Sequence, residues 1–382
     1  MHFRFSAIAS ALALVACQSY DFEPVVPAAI SQTAQTTVIE FQGQKPNVML
    51  VVDRSGSMSS IIPCGTGSCP TRLQAVKNAM GVFLPANPTL GRFGLVRYGM
   101  GGADECRAPA VGDINVGIPQ VDDADTSALT AAATQSNAAI QALNADGSTP
   151  TGPTLNMLRD YAALRDPGRE NFVLLLTDGL PNCNASNPNT CSNPTACQCT
   201  RATCSVAAGT CATGCLDQSG AAAAAAGLRD VGIKTVVVGF GADLNSGTAF
   251  NVLNAVAIAG GFGRPCDSDT DCNSGDSCDI AQKQCNTVRF YRAQDADELG
   301  LVLAAVSGRL SDPCVFDLQD PPQDPDLLVV RVNGTSIGGS PNTWTLENNN
   351  SRIRFHGSFC DTLNAATPAN PVQLVIQSVQ AL

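Results

Sequence analysis

Hydroxyl and carboxylate side chains in three short motifs could together bind a metal ion. The motifs are Asp-Arg-Ser-Gly-Ser, Gly-Ser-Thr-Pro and Thr-Asp-Gly, in that order along the chain. Every candidate ligand atom is an oxygen, which is the donor that hard divalent cations prefer. The motifs therefore predict a site for Mg²⁺, with Mn²⁺ or Ca²⁺ as alternatives, formed by Asp53, Ser55, Ser57, Thr149 and Asp178.

Such a site would leave part of the charge of the ion uncompensated. Only Asp53 and Asp178 are charged, and hydroxyl groups are weak neutral donors. The ion would keep at least one exchangeable water, and a carboxylate from another molecule could replace that water.

The two acidic motifs each follow an apolar run of strand length. Val48–Val52 ends directly before Asp53, and Phe172–Leu176 ends shortly before Asp178. In parallel α/β sheets, binding sites form beyond the carboxyl ends of the strands. If these two strands are neighbours, their ends bring the acidic and hydroxyl groups together.

Apolar runs of strand length alternate with helix-like segments from Lys45 onward. This alternation predicts an α/β fold with a doubly wound, mostly parallel sheet flanked by helices. The expected strands are Val48–Val52, Phe93–Tyr98, Phe172–Leu176, Ile233–Val238 and Val288–Tyr291. The expected helices are Thr71–Leu84, Thr126–Leu143, Thr154–Leu164, Ala221–Asp230, Thr248–Ala259 and Ala296–Ser307.

In order and spacing, the three motifs resemble the metal-ion-dependent adhesion site of the von Willebrand factor A-type domain. The resemblance spans roughly residues 45–309, and every element of that site is present. It implies that Ser55 and Ser57 bind the metal directly and that Thr149 binds it directly or through water. It also implies that Asp53 and Asp178 act mainly through water and hydrogen bonds. In adhesive members of the family, ligand binding is coupled to a shift of the C-terminal helix, whose position Ala296–Ser307 occupies here.

A structural alternative exists for each motif taken singly. Asp-Arg-Ser-Gly-Ser can be a helix-capping turn, and Thr-Asp-Gly can be a tight turn. The agreement of three separated motifs favours the metal site over this alternative.

The N-terminus indicates export and lipid anchoring. Residues 1–17 contain Arg4, an apolar stretch and the sequence Leu-Val-Ala-Cys, which resembles a bacterial lipobox and predicts acylation of Cys17. Gln18, rather than an aspartate, follows the cysteine, which suggests the outer membrane of a Gram-negative cell envelope. An ordinary cleaved signal peptide is the alternative. Residues 18–44 show no clear hydrophobic periodicity of a helix or strand, which predicts a flexible tether.

The cysteine content supports an oxidising compartment. Acylation of one of the 17 cysteines would leave an even number, and Cys-x-x-Cys zinc pairs are absent from the sequence. Two cysteine-rich insertions, 182–216 and 264–286, interrupt the α/β pattern. The first holds an odd number of cysteines, so at least one pairs outside it or stays free, and Cys106 is the candidate partner. Other disulfides are expected among Cys64, Cys69, Cys266, Cys272, Cys278, Cys285, Cys314 and Cys360.

An acidic run in the second insertion, residues 267–271, invites a calcium interpretation. The EF-hand pattern requires a glycine and a final acid at positions that Cys272 and Cys278 occupy here. A disulfide-linked loop with solvated acids is therefore the favoured interpretation.

Residues 310–382 predict a small β-rich C-terminal domain. Strands are expected at Leu327–Val332, Trp344–Leu346, Ile353–His356 and Val372–Gln377, with a hairpin turn at Asn333-Gly334. A unit of this size has a marginal core, so the pair Cys314 and Cys360 is expected to stabilise it.

The sequence contains little that predicts an enzyme. Removal of a signal peptide would leave His356 as the only histidine, and its alternating surroundings indicate a structural role in a strand. The run Gly334–Gly338 matches a nucleophile motif, but a helix is not expected after it. We therefore expect a protein that is not an enzyme.

These features together predict a cell-envelope lipoprotein with an adhesion or scaffold role. The expected partner is a protein that supplies a carboxylate to the metal, and the lipid bilayer is contacted through the acyl anchor only. With a net charge of -11, the chain is not expected to bind nucleic acid. The alternative is a structural or assembly subunit of an envelope complex in which the metal is only stabilising.

Overall fold

A computed structural model describes most of the predicted α/β domain and of the C-terminal unit. The described residues are 32–41, 45–62, 68–102, 104–167, 169–183, 198–200, 211–241, 244, 247–264, 266, 268–272, 275–280, 284–293, 299–300, 302–303, 314–318, 322, 324–347, 350–366 and 370–381. The expected lipidation residue Cys17 and the expected disulfide partner Cys64 lie outside them.

The strands and helices alternate through the first two thirds of the chain. The strands are β1 (Gln32–Phe41), β2 (Asn47–Asp53), β3 (Arg92–Tyr98), β4 (Asn171–Thr177), β5 (Ile233–Phe240), β6 (Cys278–Asp279), β7 (Gln284–Cys285), β8 (Tyr291–Ala293), β9 (Val315–Asp317), β10 (Leu328–Val332), β11 (Thr335–Ile337), β12 (Trp344–Glu347), β13 (Arg352–Phe355) and β14 (Val372–Ala381). The helices are α1 (Arg72–Ala86), α2 (Thr126–Gln141), α3 (Thr151–Arg159), the single turn α4 (Cys211–Gly214), α5 (Gln218–Arg229), α6 (Gly247–Ala259) and α7 (Gly357–Asn364).

The central sheet has five parallel strands in the order β3-β2-β4-β5-β8. All seven residues of β2 and of β4 are buried, as expected for strands covered on both faces. Successive side chains of a strand point to opposite faces. Accordingly, Leu50 packs in the core cluster that contains residues of α1 and α2, whereas Val51 packs in the cluster that contains residues of α3, α5 and α6.

This architecture confirms the predicted α/β fold with a mostly parallel sheet flanked by helices. It also brings the carboxyl ends of β2 and β4 to one edge, because Val52 is directly paired with Leu176. The first and third motifs continue from these two ends. The helices found among the described residues are too short or too polar to cross a membrane.

The C-terminal unit contains two antiparallel sheets, β1-β14-β10-β11 and β12-β13-β9. Its core includes Trp344, whose indole N–H donates to the carbonyl of Ile337 at 2.8 Å. Cys314 and Cys360, which were expected to pair, form a disulfide. The expected Asn333-Gly334 turn joins β10 to β11, and both residues have positive φ, 49° and 79°, as a tight hairpin turn requires.

The expectation of a flexible tether over residues 18–44 is wrong for Gln32–Phe41. These ten residues form β1, which pairs antiparallel along its whole length with β14, from Gln32 opposite Ala381 to Phe41 opposite Val372. The backbone hydrogen-bonding partner of β1 is therefore a strand at the far end of the chain. The C-terminal unit is consequently built from both ends of the described chain.

Several other elements differ from the sequence expectation. The helix expected at Thr154–Leu164 is observed as α3, Thr151–Arg159. The last parallel strand was expected at Val288–Tyr291, but β8 begins only at Tyr291. The helix α7 was not expected; it begins after His356, immediately beyond β13. Most of the expected helix Ala296–Ser307 lies outside the described residues, although the segments 299–300 and 302–303 within it are helical.

Candidate metal centre

Asp53 is the last residue of β2, and its carboxylate is completely buried. The backbone N–H of Ser55 donates to Oδ1 at 2.8 Å, which is the Asx turn that an Asp two residues earlier favours. Thr177, the last residue of β4, donates its hydroxyl to Oδ2 at 2.7 Å. The carboxylate is therefore fixed by the ends of two neighbouring strands.

The environment of Asp53 disfavours an uncompensated negative charge. Burial raises the pKa of Asp53 from 3.8 to about 7, and the negative charge of Asp178 is the second cause. Hydrogen bonds from Ser55 and Thr177 oppose the shift. A cation bound between these two buried carboxylates would offset their mutual repulsion.

Ser55 and Ser57 place two hydroxyl groups beside Asp53. Their Oγ atoms lie 3.1 Å apart. Ser55 is buried, whereas Ser57 is exposed in a short 3-10 helix, Gly56–Ser59, that is anchored by the buried side chain of Met58. One hydroxyl therefore belongs to the interior and the other to the surface.

Thr149 is buried and held between the first and third motifs. Its backbone N–H donates to Oδ1 of Asn182 at 2.8 Å, and the N–H of Asn182 donates to the carbonyl of Thr149 at 2.9 Å. Two residues earlier, the carbonyl of Gly147 accepts the N–H of Gly56 at 2.9 Å. The second motif is thus attached to the first motif and to the segment that follows the third.

Asp178 is 8% exposed and follows β4 by one residue. Arg72 Nη1 lies 2.9 Å from its Oδ2. The turn after Asp178 requires glycine, because Gly179 has a φ of 115° and a Cβ there would lie 3.1 Å from Cβ of Ala249. Asp178 therefore has one oxygen engaged by a guanidinium while its charge still acts on Asp53.

Three contributors to this site were not expected from the sequence. Arg72 is the first residue of α1, Thr177 was seen only as part of a motif, and Asn182 only as the start of an insertion. A strand-end motif predicts which side chains approach the metal. It carries no signal for the residues that hold them in place.

A disulfide crosses the rim of the site. Cys106, in the loop after β3, pairs with Cys183, the residue after Asn182. The insertion that begins beside Asp178 is therefore linked to Cys106, the partner that its odd cysteine number suggested. Residues 184–197 and 201–210 of that insertion lie outside the described part of the chain.

Seven further cysteines are also oxidised. Cys266 pairs with Cys278 and Cys272 with Cys285, whereas Cys69, Cys199 and Cys215 are disulfide-bonded as well. Sulfur atoms of Cys266, Cys272 and Cys285 lie within 4.8 Å of one another, but a disulfide offers no thiolate to a metal.

Two acids in the second insertion accept hydrogen bonds from the backbone. Asp269 accepts the N–H of Cys278 at 2.8 Å, and Asp271 accepts the N–H of Ser268 at 3.0 Å. These contacts agree with the interpretation of a disulfide-linked loop rather than a calcium loop.

The structure thus joins all three motifs around buried carboxylates and paired hydroxyls. Each candidate ligand among them is an oxygen, and the two nearby acids call for a compensating cation. The residues present fit a hard divalent ion.

Comparisons with known proteins describe the same domain. Residues 48–180 match the family model of the von Willebrand factor type A domain. Curated proteins give no significant match.

Three solved structures are similar to the chain. The pilus adhesin SpaC of Lactobacillus rhamnosus GG is 15% identical over 92% of this chain and 42% of the adhesin, with a TM-score of 0.44. The manganese-loaded TRAP protein of Plasmodium vivax is 12% identical over 71% of this chain and 76% of its own, with a TM-score of 0.35. Proximal thread matrix protein 1 of the mussel byssus, with zinc in its MIDAS motif, is 13% identical over 74% of this chain and 52% of its own, with a TM-score of 0.37.

The chain spans less than half the length of the pilus adhesin. The matched residues 48–180 run from β2 to the turn after β4 and include all five candidate ligands. Together with the parallel sheet and its flanking helices, this match shows that the chain has a von Willebrand factor A-like α/β fold.

Proposed function

We propose that this protein is an adhesion or scaffold protein that binds a protein partner through a divalent metal ion. The observation that carries the proposal is the buried pair Asp53 and Asp178 beside the hydroxyls of Ser55 and Ser57. A cation there relieves the repulsion between the acids. The hydroxyls supply neutral oxygen ligands.

The residues divide into direct ligands and supporting groups in this proposal. Ser55 and Ser57 hold the metal directly, and Thr149 does so directly or through water. Asp53 and Asp178 accept hydrogen bonds from metal-bound water and balance the charge. When bound, the metal supplies a positive centre with an open coordination position for a carboxylate of the partner.

Mg²⁺ is the proposed ion, with Mn²⁺ or Ca²⁺ as alternatives. The all-oxygen ligand set supports a hard cation in general. The manganese and zinc named for two similar structures support a divalent ion without selecting one.

We further propose that the protein is exported and lipid-anchored through Cys17, in the outer membrane of a Gram-negative cell envelope. The disulfides of the described residues support an oxidising compartment. The proposal assigns no chemical step to the chain. The bilayer is contacted through the acyl group only, and nucleic acid is not a partner.

A second candidate function is a structural subunit in which the metal only stabilises the rim. The contacts of Arg72 with Asp178 and of Asn182 with Thr149 favour it, because they hold the motifs together without a metal. Under this alternative, metal would raise the unfolding temperature but would not create a binding site for a carboxylate.

One titration series tests the main proposal. Isothermal titration with MgCl₂ should show one ion bound, and Ser57→Ala should weaken binding by about tenfold or more, which is the scale of effects around metal sites. Ser60→Ala is the matched control, because Ser60 is an exposed serine just outside the same short helix.

A capped peptide with a single aspartate then separates the two functions. The proposal expects it to bind wild-type protein in MgCl₂ but not in EDTA. Stabilisation by MgCl₂ without any peptide binding would instead support the structural subunit.

A further inference from the structure

A cavity of about 370 Å³ opens directly beside the candidate metal centre. Arg54, which lies between Asp53 and Ser55, forms part of its wall. The carbonyl of Arg54 accepts the N–H of Asp146 at 2.7 Å, and its own N–H donates to the carbonyl of Tyr98 at 3.3 Å. The lining residues are Arg54, Arg97, Met100, Gly101, Asp104, Arg107 and Asp146, and we call this cavity the arginine pocket.

The arginine pocket brings three guanidinium groups together in a chain whose net charge is -11. Three arginines and two aspartates line it. Arg54 lies 3.5 Å from Asp146, and Arg107 lies 3.2 Å from Asp113 outside the lining.

Arg97 has no acidic partner among the described residues. Its Nη1 donates a hydrogen bond to the sulfur of Met100 at 3.1 Å. Within the same part of the chain, the buried Nε–H of Arg54 has no hydrogen-bond acceptor. Arg54 and Arg97 both line the same cavity, so the unused donor and the second guanidinium face one space. An unpaired guanidinium and an unused buried donor beside a cavity are features of a site for an anion.

We propose that the arginine pocket binds a second carboxylate of the partner, next to the carboxylate that the metal takes. The inference rests on the proposed function and specifies its ligand as an acidic protein segment with two neighbouring acidic residues. Within the described part of the chain, Arg54 and Arg107 already have the acidic partners Asp146 and Asp113, so Arg97 is the one guanidinium of the pocket left for a ligand, and its single charge matches a carboxylate better than a doubly charged phosphate. A planar guanidinium can also meet a carboxylate with two parallel hydrogen bonds.

Capped peptides with one aspartate, or with two separated by zero to three glycines, test this assignment in MgCl₂ by isothermal titration. At least one two-aspartate peptide should bind wild-type protein about tenfold more tightly than the single-aspartate peptide, the factor expected of a charge-assisted hydrogen bond. Arg97→Gln should abolish that advantage while leaving the single-aspartate affinity within about twofold. Arg97→Lys should retain part of the advantage, since it keeps the charge but not the planar fork.

Arg229→Gln provides a matched control. This substitution removes the same charge from the exposed last residue of α5. That residue precedes the start of β5, whereas the site follows the carboxyl ends of the strands. Circular dichroism of each variant monitors folding.

The outcomes separate the two proposals. Single-aspartate binding in MgCl₂ without a two-aspartate advantage overturns the arginine pocket and leaves the metal function intact. An advantage that persists in Arg97→Gln also overturns it. Failure of every peptide to bind overturns both proposals. Binding of two-aspartate peptides in EDTA that depends on Arg97 supports the pocket and overturns the metal function.

Discussion

Acidification should release the metal at a much higher pH than an ordinary carboxylate site would. Metal binding at this site requires ionised Asp53, and a proton competes with the metal for that carboxylate. Burial raises the pKa of Asp53 from 3.8 to about 7, and the charge of Asp178 adds to the shift. The affinity for Mg²⁺ should therefore fall as soon as the pH drops below neutrality.

The size of the effect follows from the fraction of Asp53 that is ionised. At pH 5, roughly two units below the raised pKa, only about one site in a hundred is ionised, so the apparent affinity should be about 100-fold weaker than at pH 8. A carboxylate with an ordinary pKa would lose affinity only near pH 4.

The metal-free protein should respond in the opposite direction. Its ionised Asp53 is destabilising, by an amount on the order of 4 kcal/mol, and protonation relieves that cost. Because the folded pKa lies above the unfolded value of 3.8, this contribution to stability grows as the pH falls from about 7 towards 3.8. Asp53→Asn should remove this part of the pH dependence.

Isothermal titration with MgCl₂ at several pH values, in two buffers of different ionisation enthalpy, measures the affinity and the protons released. Near pH 6, binding should release close to one proton per ion. Urea unfolding in EDTA, for wild type and Asp53→Asn, measures how the free energy of unfolding of the metal-free protein depends on pH. An Mg²⁺ affinity that stays constant down to about pH 5 and releases no protons would refute the reasoning.

Two further predictions concern residues that hold the ligands. Arg72→Gln should strengthen Mg²⁺ binding several-fold, because the guanidinium 2.9 Å from Asp178 competes with the metal for negative charge; weaker binding in titration calorimetry would contradict this competition. Asn182→Ala should cost about 1–3 kcal/mol in urea unfolding and weaken Mg²⁺ binding, because it leaves the buried N–H of Thr149 without its acceptor. Unchanged stability and affinity would show that the loop does not depend on this contact.

The sheet could be predicted from the sequence because its strands are almost entirely buried. A run such as Phe172–Leu176 is apolar throughout, and β4 is buried at every position. Parallel strands covered on both faces produce this signal, which is stronger than the alternation of half-buried strands. The ends of the strands were predicted less accurately, as the late start of β8 shows.

The candidate ligands could be predicted from the sequence for a related reason. Each acidic motif directly follows such a strand, so the topology of a parallel sheet predicts their meeting. Arg72 and Asn182 act through contacts across 106 and 33 positions of the chain. Neither residue type nor local spacing marks such contacts, and the same holds for the arginines that converge on one cavity.

The strand β1 was missed because its partner lies at the other end of the chain. A local window over Gln32–Phe41 shows polar residues without a clear period, and its ladder with β14 is set by long-range pairing. This pairing changes how the proposed anchor would act. Because Cys17 precedes β1, and β1 belongs to the sheet of the C-terminal unit, a force on the lipid anchor would first meet β1 and its ladder with β14. The metal-site domain begins only after that strand, at β2. In the proposed lipoprotein, a strand of the C-terminal unit therefore lies between the anchor and the binding domain along the chain, and the disulfide Cys314–Cys360 stabilises that unit.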